Sequence, residues 1–326
     1  MSARQTPNGS QPQPPSGRKP ESNPAVADVT AMADELQQYH GLFHDLFVRS
    51  EQRTWSAFYL QGHLSGIECK SIEPMVLALK GPDRAAVRAA QQFLGEGAWD
   101  DTVILERHQS HVATDLGQDD AALIVDGSGF PKQGTHSVGV ARQYCGHLSK
   151  TANCQHGVFV AYSSSEGYTF VDRRLYMPAK WFDTEHAALR DRYGVLDDLV
   201  FTTEPQLALE MISTIVQRGV LPLGWVLGDE TYGADPKVLD GIDALQKRYF
   251  LEVPVSTRAW VGSPEIQPAG RLAMGALLKR PRVAASTPKA RKLWEIAAEL
   301  PATAWRRYTI SEGSKGSNQA QFAFLL

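Results

Sequence analysis

The chain has 326 residues, room for one large domain or two ordinary ones, and its 43 % hydrophobic and 21 % charged residues are the balance of a globular protein with a real core. No run of about 18 apolar residues occurs, so no membrane span is expected. A net charge of −3 argues against a surface coated with nucleic acid but leaves local basic patches open.

Met1 to Pro24 is rich in Pro, Ser, Gln and Gly and lacks the apolar core of a secretory signal. Residues 1–27 hold too little apolar side chain to offset the entropy of ordering, so a disordered tail is expected there. Residues 28–120 read as a small helical domain. Leu42, Phe43, Leu46 and Phe47 fall on one face at helical spacing, and Trp55, Phe58, Tyr59 and Leu60 extend an apolar stripe. Met75, Leu77 and Leu79 follow, and Asp83 is placed to cap a helix carrying Val87, Ala90 and Phe93. A structural cap and a DNA-binding module are both open readings of this domain.

At Ala121 the period changes. Ala121–Val125 is a short buried-strand run that leads into a glycine-rich loop, Asp126-Gly-Ser-Gly129. Gly157–Tyr162 and Thr169–Tyr176 read as a hairpin around the polar turn at 163–167. Glu204–Val216 is a helix, Gly224–Gly228 a buried strand ending at Asp229, Pro236–Lys247 a helix, and Arg248–Val253 the next strand. Hairpin strands followed by strand–helix alternation predict an α/β fold with a mixed sheet over 121–255. From about Ser256 to Leu326 the chain turns basic, with Arg271, Lys279, Arg280, Arg282, Lys289, Arg291, Lys292, Arg306 and Arg307 around Trp294 and Trp305. Such a region suits phosphate contacts and base stacking, or a solvated face.

Asp126 and Asp229 each follow an apolar strand directly. Strand ends fix the position of a side chain while leaving it accessible. On neighbouring strands the two carboxylates would repel unless a cation lay between them. Hard divalent ions prefer such oxygen ligands and activate a water or hydroxyl for phosphodiester attack. A turn former or a helix cap is the other reading of an Asp at these places. Lys132 reads either as a phosphate contact or as a solvated loop lysine, and Arg142, Gln143 and Tyr144 either line the site or pack. His108 and His111 lack zinc partners, and the odd set Cys69, Cys145 and Cys154 has no metal-type spacing and fits a reducing cytoplasm. Ser128 lacks the outer residues of a nucleophile elbow, and no nucleotide-binding glycine loop occurs.

The stretch Asp126-Gly-Ser-Gly-Phe-Pro-Lys-Gln-Gly134, then Ser137–Gly146 and Asn153-Cys-Gln155, resembles the first catalytic block of DDE-superfamily transposases of bacterial insertion sequences of the 701 type. Leu227-Gly-Asp-Glu-Thr-Tyr-Gly233 resembles their second block, and Tyr59–Gly62, Lys70–Pro74, Gln91–Leu94 and Trp99-Asp100 extend the likeness upstream. The resemblance implies a ribonuclease-H-like mixed sheet with flanking helices, preceded by a helical N-terminal domain and followed by a partial inserted segment. It further implies Asp126 on the first strand and Asp229 after the fourth as catalytic, metal-binding residues for Mg²⁺ or Mn²⁺. The implied partners are double-stranded DNA (transposon ends and target) and a second copy of the chain on that DNA, in the bacterial nucleoid. Contacts to DNA fall to Lys132, Arg142, Arg280, Arg282, Arg291 and Lys292. The family's third carboxylate, a Glu on a later helix, is expected beyond Leu326, because Glu230, Glu252, Glu295 and Glu299 are misplaced for it; the reading is of a truncated chain. An inactive DNA-binding remnant and a metal-dependent nuclease or phosphatase unrelated to mobility stay open as alternatives.

Overall fold

The computed structural model describes residues 26–271, 277–313 and 316–323. The chain divides into two compact units, residues 1–107 and 108–326. The tail expected over 1–27 lies outside the described residues up to 25; Val26 and Ala27 open the first helix.

The first unit is helical. Helices α1 (Val26–Gly41), α2 (Ser50–Leu64), α3 (Ile72–Lys80) and α4 (Arg84–Glu96) precede α5 (Asp101–Leu116), which straddles the division. Phe58, Met75, Val76, Ala86 and Ala90 form one core cluster, and Phe43, Phe47 and Phe93 another. Gly62 lets α2 and α3 approach: a Cβ there would lie 2.6 Å from Sδ of Met75. The Asp83 carboxylate accepts from the amides of Ala85 and Ala86, the cap its position predicts. Two details differ from expectation. Residues 42–47 form no α-helix; only His44–Leu46 coil, as a single tight turn, yet Phe43 and Phe47 are still buried by it. In α3 the buried pair is Met75 and Val76, while Leu77 and Leu79 face solvent.

The second unit is built on a mixed sheet. Its strands are β1 (Ala122–Pro131), β2 (Ala141–Cys145), β3 (Lys150–Ser164) and β4 (Gly167–Tyr176). After α6 (Ala187–Arg192) and α7 (Glu204–Arg218) come β5 (Trp225–Gly228), the single turn α8 (Glu230–Gly233), α9 (Pro236–Ala244) and β6 (Arg248–Leu251). The spatial order is β2-β3-β1-β5-β6, with β4 also paired to β3. Strands β1 to β4 pair antiparallel, and β1, β5 and β6 run parallel. This is the ribonuclease-H-like arrangement that the resemblance implied.

Helix α7 covers one face. Thr203 caps it, with Gln206 returning a bond to the cap amide, and Gly219 closes it in the left-handed region. Its Ala208, Met211, Ile212 and Ile215 pack on Leu123, Val125, Val158, Val160, Tyr162 and Val226. Strand β2 is one that periodicity did not reveal, so Asp229 follows the fifth strand rather than the fourth.

The first strand is also longer than expected. It runs through Asp126-Gly-Ser-Gly instead of ending in a loop at Val125, and pairs with β3 from Ala122↔Ser163 to Pro131↔Cys154. A 15-residue partner strand supplies the ladder that local Asp-Gly turn propensity does not foresee. Both glycines are needed there: a Cβ on Gly127 would lie 2.4 Å from Nε2 of His156, and one on Gly129 3.0 Å from Sγ of Cys145.

Beyond β6 the described residues form short antiparallel pairs. Arg258–Ala259 meets Arg291–Lys292, Ile266–Gln267 meets Arg282–Val283, and Gly270–Arg271 meets Leu277–Leu278, each nested within the last. A helix, Leu293–Glu299, and the hairpin Trp305–Gly313 with Gly316–Ala323 follow. Among the described residues no helix is long and apolar enough to cross a membrane.

Two glycine substitutions should move stability in opposite directions in urea titrations. A Cβ on Gly233 would lie 1.9 Å from the backbone oxygen of Glu252, so Gly233→Ala should cost at least about 1–3 kcal/mol. Gly95 lies within α4 with nothing inside 4 Å of an added Cβ, so Gly95→Ala should stabilise by about 0.5–1 kcal/mol.

Candidate active site

The parallel register of β1 and β5 aligns Ala122↔Trp225, Leu123↔Val226, Ile124↔Leu227 and Val125↔Gly228. The next step in each strand is Asp126 and Asp229. Neighbouring strands lie about 4.8 Å apart, so the backbones of the two aspartates emerge side by side at the sheet's centre. Val125 is buried against α7, and alternation turns Asp126, which is exposed, to the opposite face. Asp229 keeps an extended backbone (φ −81°, ψ −173°).

Asp126 has one local bond and Asp229 two, the Thr231 hydroxyl donating to Oδ2 of Asp229 at 3.4 Å. Oδ1 of Asp126 accepts from the Gly127 amide at 2.7 Å. Oδ1 of Asp229 accepts from the Thr231 amide at 2.9 Å and so caps α8. Among the described residues no three His, Cys, Asp or Glu side chains converge to hold a metal ion. Two carboxylates at such strand tips would suit a hard divalent cation that keeps much of its water.

Behind the pair, on the buried side, lies a polar cluster that sequence reasoning missed. Glu204, the first residue of α7, brings Oε2 to 3.1 Å from Nε2 of His156 on β3, at ion-pair distance but without hydrogen-bond alignment. The same Oε2 would lie 3.4 Å from a Cβ on Gly127. Tyr232 of α8 is 1 % exposed, and its hydroxyl has no hydrogen-bond partner among the described residues. Burial pushes that hydroxyl's pKa far up, and the charges of Glu204, Asp229 and Asp126 push it further. Tyr176 is raised in the same way, by burial and then by Glu204. Tyr232 belongs to the second motif block, but only the fold shows what surrounds it.

The predicted DNA contacts are scattered. Lys132, just past β1, and Arg142, on β2, are exposed near the start of β3. Gln143 donates to the Cys154 carbonyl at 3.0 Å, and Tyr144 is exposed. Arg282, on one of the nested pairs, and Arg280, just before it, are exposed, Arg282 donating to Oε1 of Gln267 at 3.2 Å. Arg291 is engaged bidentately by Glu299, and Lys292 stands 5.9 Å from the centre of the Trp294 ring. His108 meets the Phe170 carbonyl at 2.9 Å.

Residues 42–317 match the family model described as DDE superfamily endonuclease. The chain belongs to that family. It is also 27 % identical, over 234 residues, to a protein of Microchaete diplosiphon named as a probable transposase for insertion sequence element IS701. The aligned stretch covers 71 % of this chain and 55 % of that protein, so the chain spans about half the length of the curated relative.

The cap at Asp229 separates folding from charge. Asp229→Asn keeps an oxygen for the Thr231 amide and should leave the thermal midpoint near wild type. Asp229→Ala should cost about 0.5–2 kcal/mol of stability, read by thermal unfolding.

Proposed function

We propose that this endonuclease-family chain is a transposase that cuts double-stranded DNA at insertion-sequence ends and joins the freed 3′-hydroxyl to target DNA. The observation that carries the reading is the parallel register that brings Asp126 and Asp229 to adjacent strand tips. The family membership and the IS701 likeness support it. In this reading the two carboxylates hold Mg²⁺ or Mn²⁺. Bound there, such ions help deprotonate the attacking water or 3′-hydroxyl and neutralise charge on the leaving phosphate oxygen.

The chain's own residues do the positioning. Asp126 is held by a strand paired on both edges, and Asp229 by the strand-to-α8 turn. Lys132 and Arg142 stand where phosphates would approach from the β1–β3 side. Arg280 and Arg282, exposed at the nested pairs, together with Lys292 beside the half-exposed Trp294, would contact the duplex backbone. Two copies of the chain would bring two ends together, in the bacterial nucleoid.

A second reading is a DNA-binding regulator that occupies insertion ends without cutting them. It is favoured by a donor set that stops at two carboxylates among the described residues.

Cleavage of a duplex carrying the insertion ends, with Mg²⁺ or Mn²⁺, separates the two. The transposase reading expects metal-dependent nicking that Asp126→Ala and Asp229→Ala abolish while DNA affinity persists; nicking that survives both substitutions sinks it. End binding with no nicking supports the regulator. The phosphate contacts are tested by salt. Arg280→Ala with Arg282→Ala should weaken binding to all sequences alike and reduce the slope of log affinity on log salt by about one unit for each phosphate no longer neutralised.

A further inference from the structure

Helices α3 and α4 are joined by a three-residue turn, Gly81-Pro82-Asp83. Each residue of the turn is fixed. Gly81 lies in the left-handed region (φ +85°), where a side chain would be strained, and Pro82 locks its own φ. The Asp83 amide donates to the Gly81 carbonyl at 2.8 Å, while the Asp83 carboxylate caps α4. Phe58 of α2, Met75 and Val76 of α3, and Ala86 and Ala90 of α4 share one core. Two helices linked by a tight turn containing glycine, with a third helix packed on both, have the build of a helix-turn-helix.

The outward stripe of α4 breaks the rules of a merely solvated helix. Arg84, Arg88 and Gln91 are exposed at i, i+4 and i+7, with the small Ala85 exposed beside them. Arg84 and Arg88 are like charges at i and i+4, a spacing that destabilises a helix. Arg84 also stands at the positive end of the helix dipole and Glu96 at the negative end. No acid follows the Asp83 cap in the first turn, and no base stands in the last. Among the described residues neither arginine has an ion pair or a hydrogen bond. Charges set against the local rules point to a requirement outside the fold. A polyanion laid along this stripe would satisfy both arginines.

We infer that α3, its turn and α4 form a helix-turn-helix in which α4 reads base edges in the major groove of duplex DNA through Arg84, Arg88 and Gln91. The inference rests on the reading of the chain as one that acts on DNA ends, and it names the element that chooses the sequence. A recognition helix turns its N-terminal residues to the bases, and that half of α4 carries both arginines. Arg pairs bidentately with O6 and N7 of guanine, and Gln with N6 and N7 of adenine. Each good pair discriminates about 5- to 150-fold against a wrong base. Arg280 and Arg282, by contrast, would hold the phosphate backbone without choosing a sequence.

The test is selection by the full chain from duplexes with a randomised centre, at fixed salt and with divalent metal chelated so that nothing is cut. Wild type should enrich a short motif. Arg84→Ala, Arg88→Ala and Gln91→Ala should each enrich that motif with one position made degenerate, a guanine for either arginine and an adenine for Gln91. Affinity for the unselected library should fall far less than affinity for the motif. The thermal midpoint should hold in all three, because among the described residues none of these side chains makes an internal bond. The same intact motif enriched by every variant overturns the inference. So does a uniform loss of affinity with the preference unchanged, which would make α4 a phosphate contact only. Wild type that selects no motif, yet nicks DNA through Asp126 and Asp229, overturns this inference and leaves the aspartate chemistry standing. Wild type that binds no duplex overturns both.

Discussion

The register between β1 and β5 is the constraint on which the site depends. A slip of one residue would put Asp126 beside Gly228 and send Leu123 and Val125 to the opposite face. What forbids the slip is burial. Leu123, Val125 and Val226 are sealed beneath α7 by Ala208, Met211, Ile212 and Ile215. Fully burying each such side chain is worth roughly 1.5–3 kcal/mol, so turning Leu123 and Val125 out of the core would outweigh the repulsion between two carboxylates at the surface. The acidic pair is held together by apolar contacts that neither aspartate makes.

Glycine completes the arrangement. Gly228 carries no side chain, so the Tyr232 ring can press against the sheet where a larger residue would hold it off. Gly127 does the same for His156 and Glu204. The two motif blocks therefore encode more than their carboxylates. Each pairs a strand-end aspartate with a neighbouring glycine that admits a polar side chain behind it.

This explains which parts could be read from sequence. Both apolar runs ending in Asp126 and Asp229 are local signals, and periodicity found them. Helix α7 and the β3–β4 hairpin were legible for the same reason, since capping residues and alternation act over a few positions. That β1 and β5 are neighbours is a non-local fact, for which family resemblance stood in. The extension of β1 through Asp126-Gly-Ser-Gly was misread because turn propensity is local while its partner, β3, lies some 30 residues on in the chain. Glu204 gave only the signal of a helix opening, and His156 none. Their meeting depends on α7 crossing the sheet over Gly127.

A strand-end aspartate read as a cap and one read as a metal ligand look like rival assignments, but in the proposed reading Asp229 serves as both. A carboxylate has about four acceptor positions, of which the Thr231 hydroxyl occupies one and the Thr231 amide another. That bond fixes the rotamer without consuming the group, as the Gly127 amide does for Asp126. Two acids pre-oriented by their own backbones lose less side-chain entropy when a cation arrives than two free ones would. In the proposed reading, the turn chemistry that makes such residues common at strand ends is also part of what would prepare them to bind.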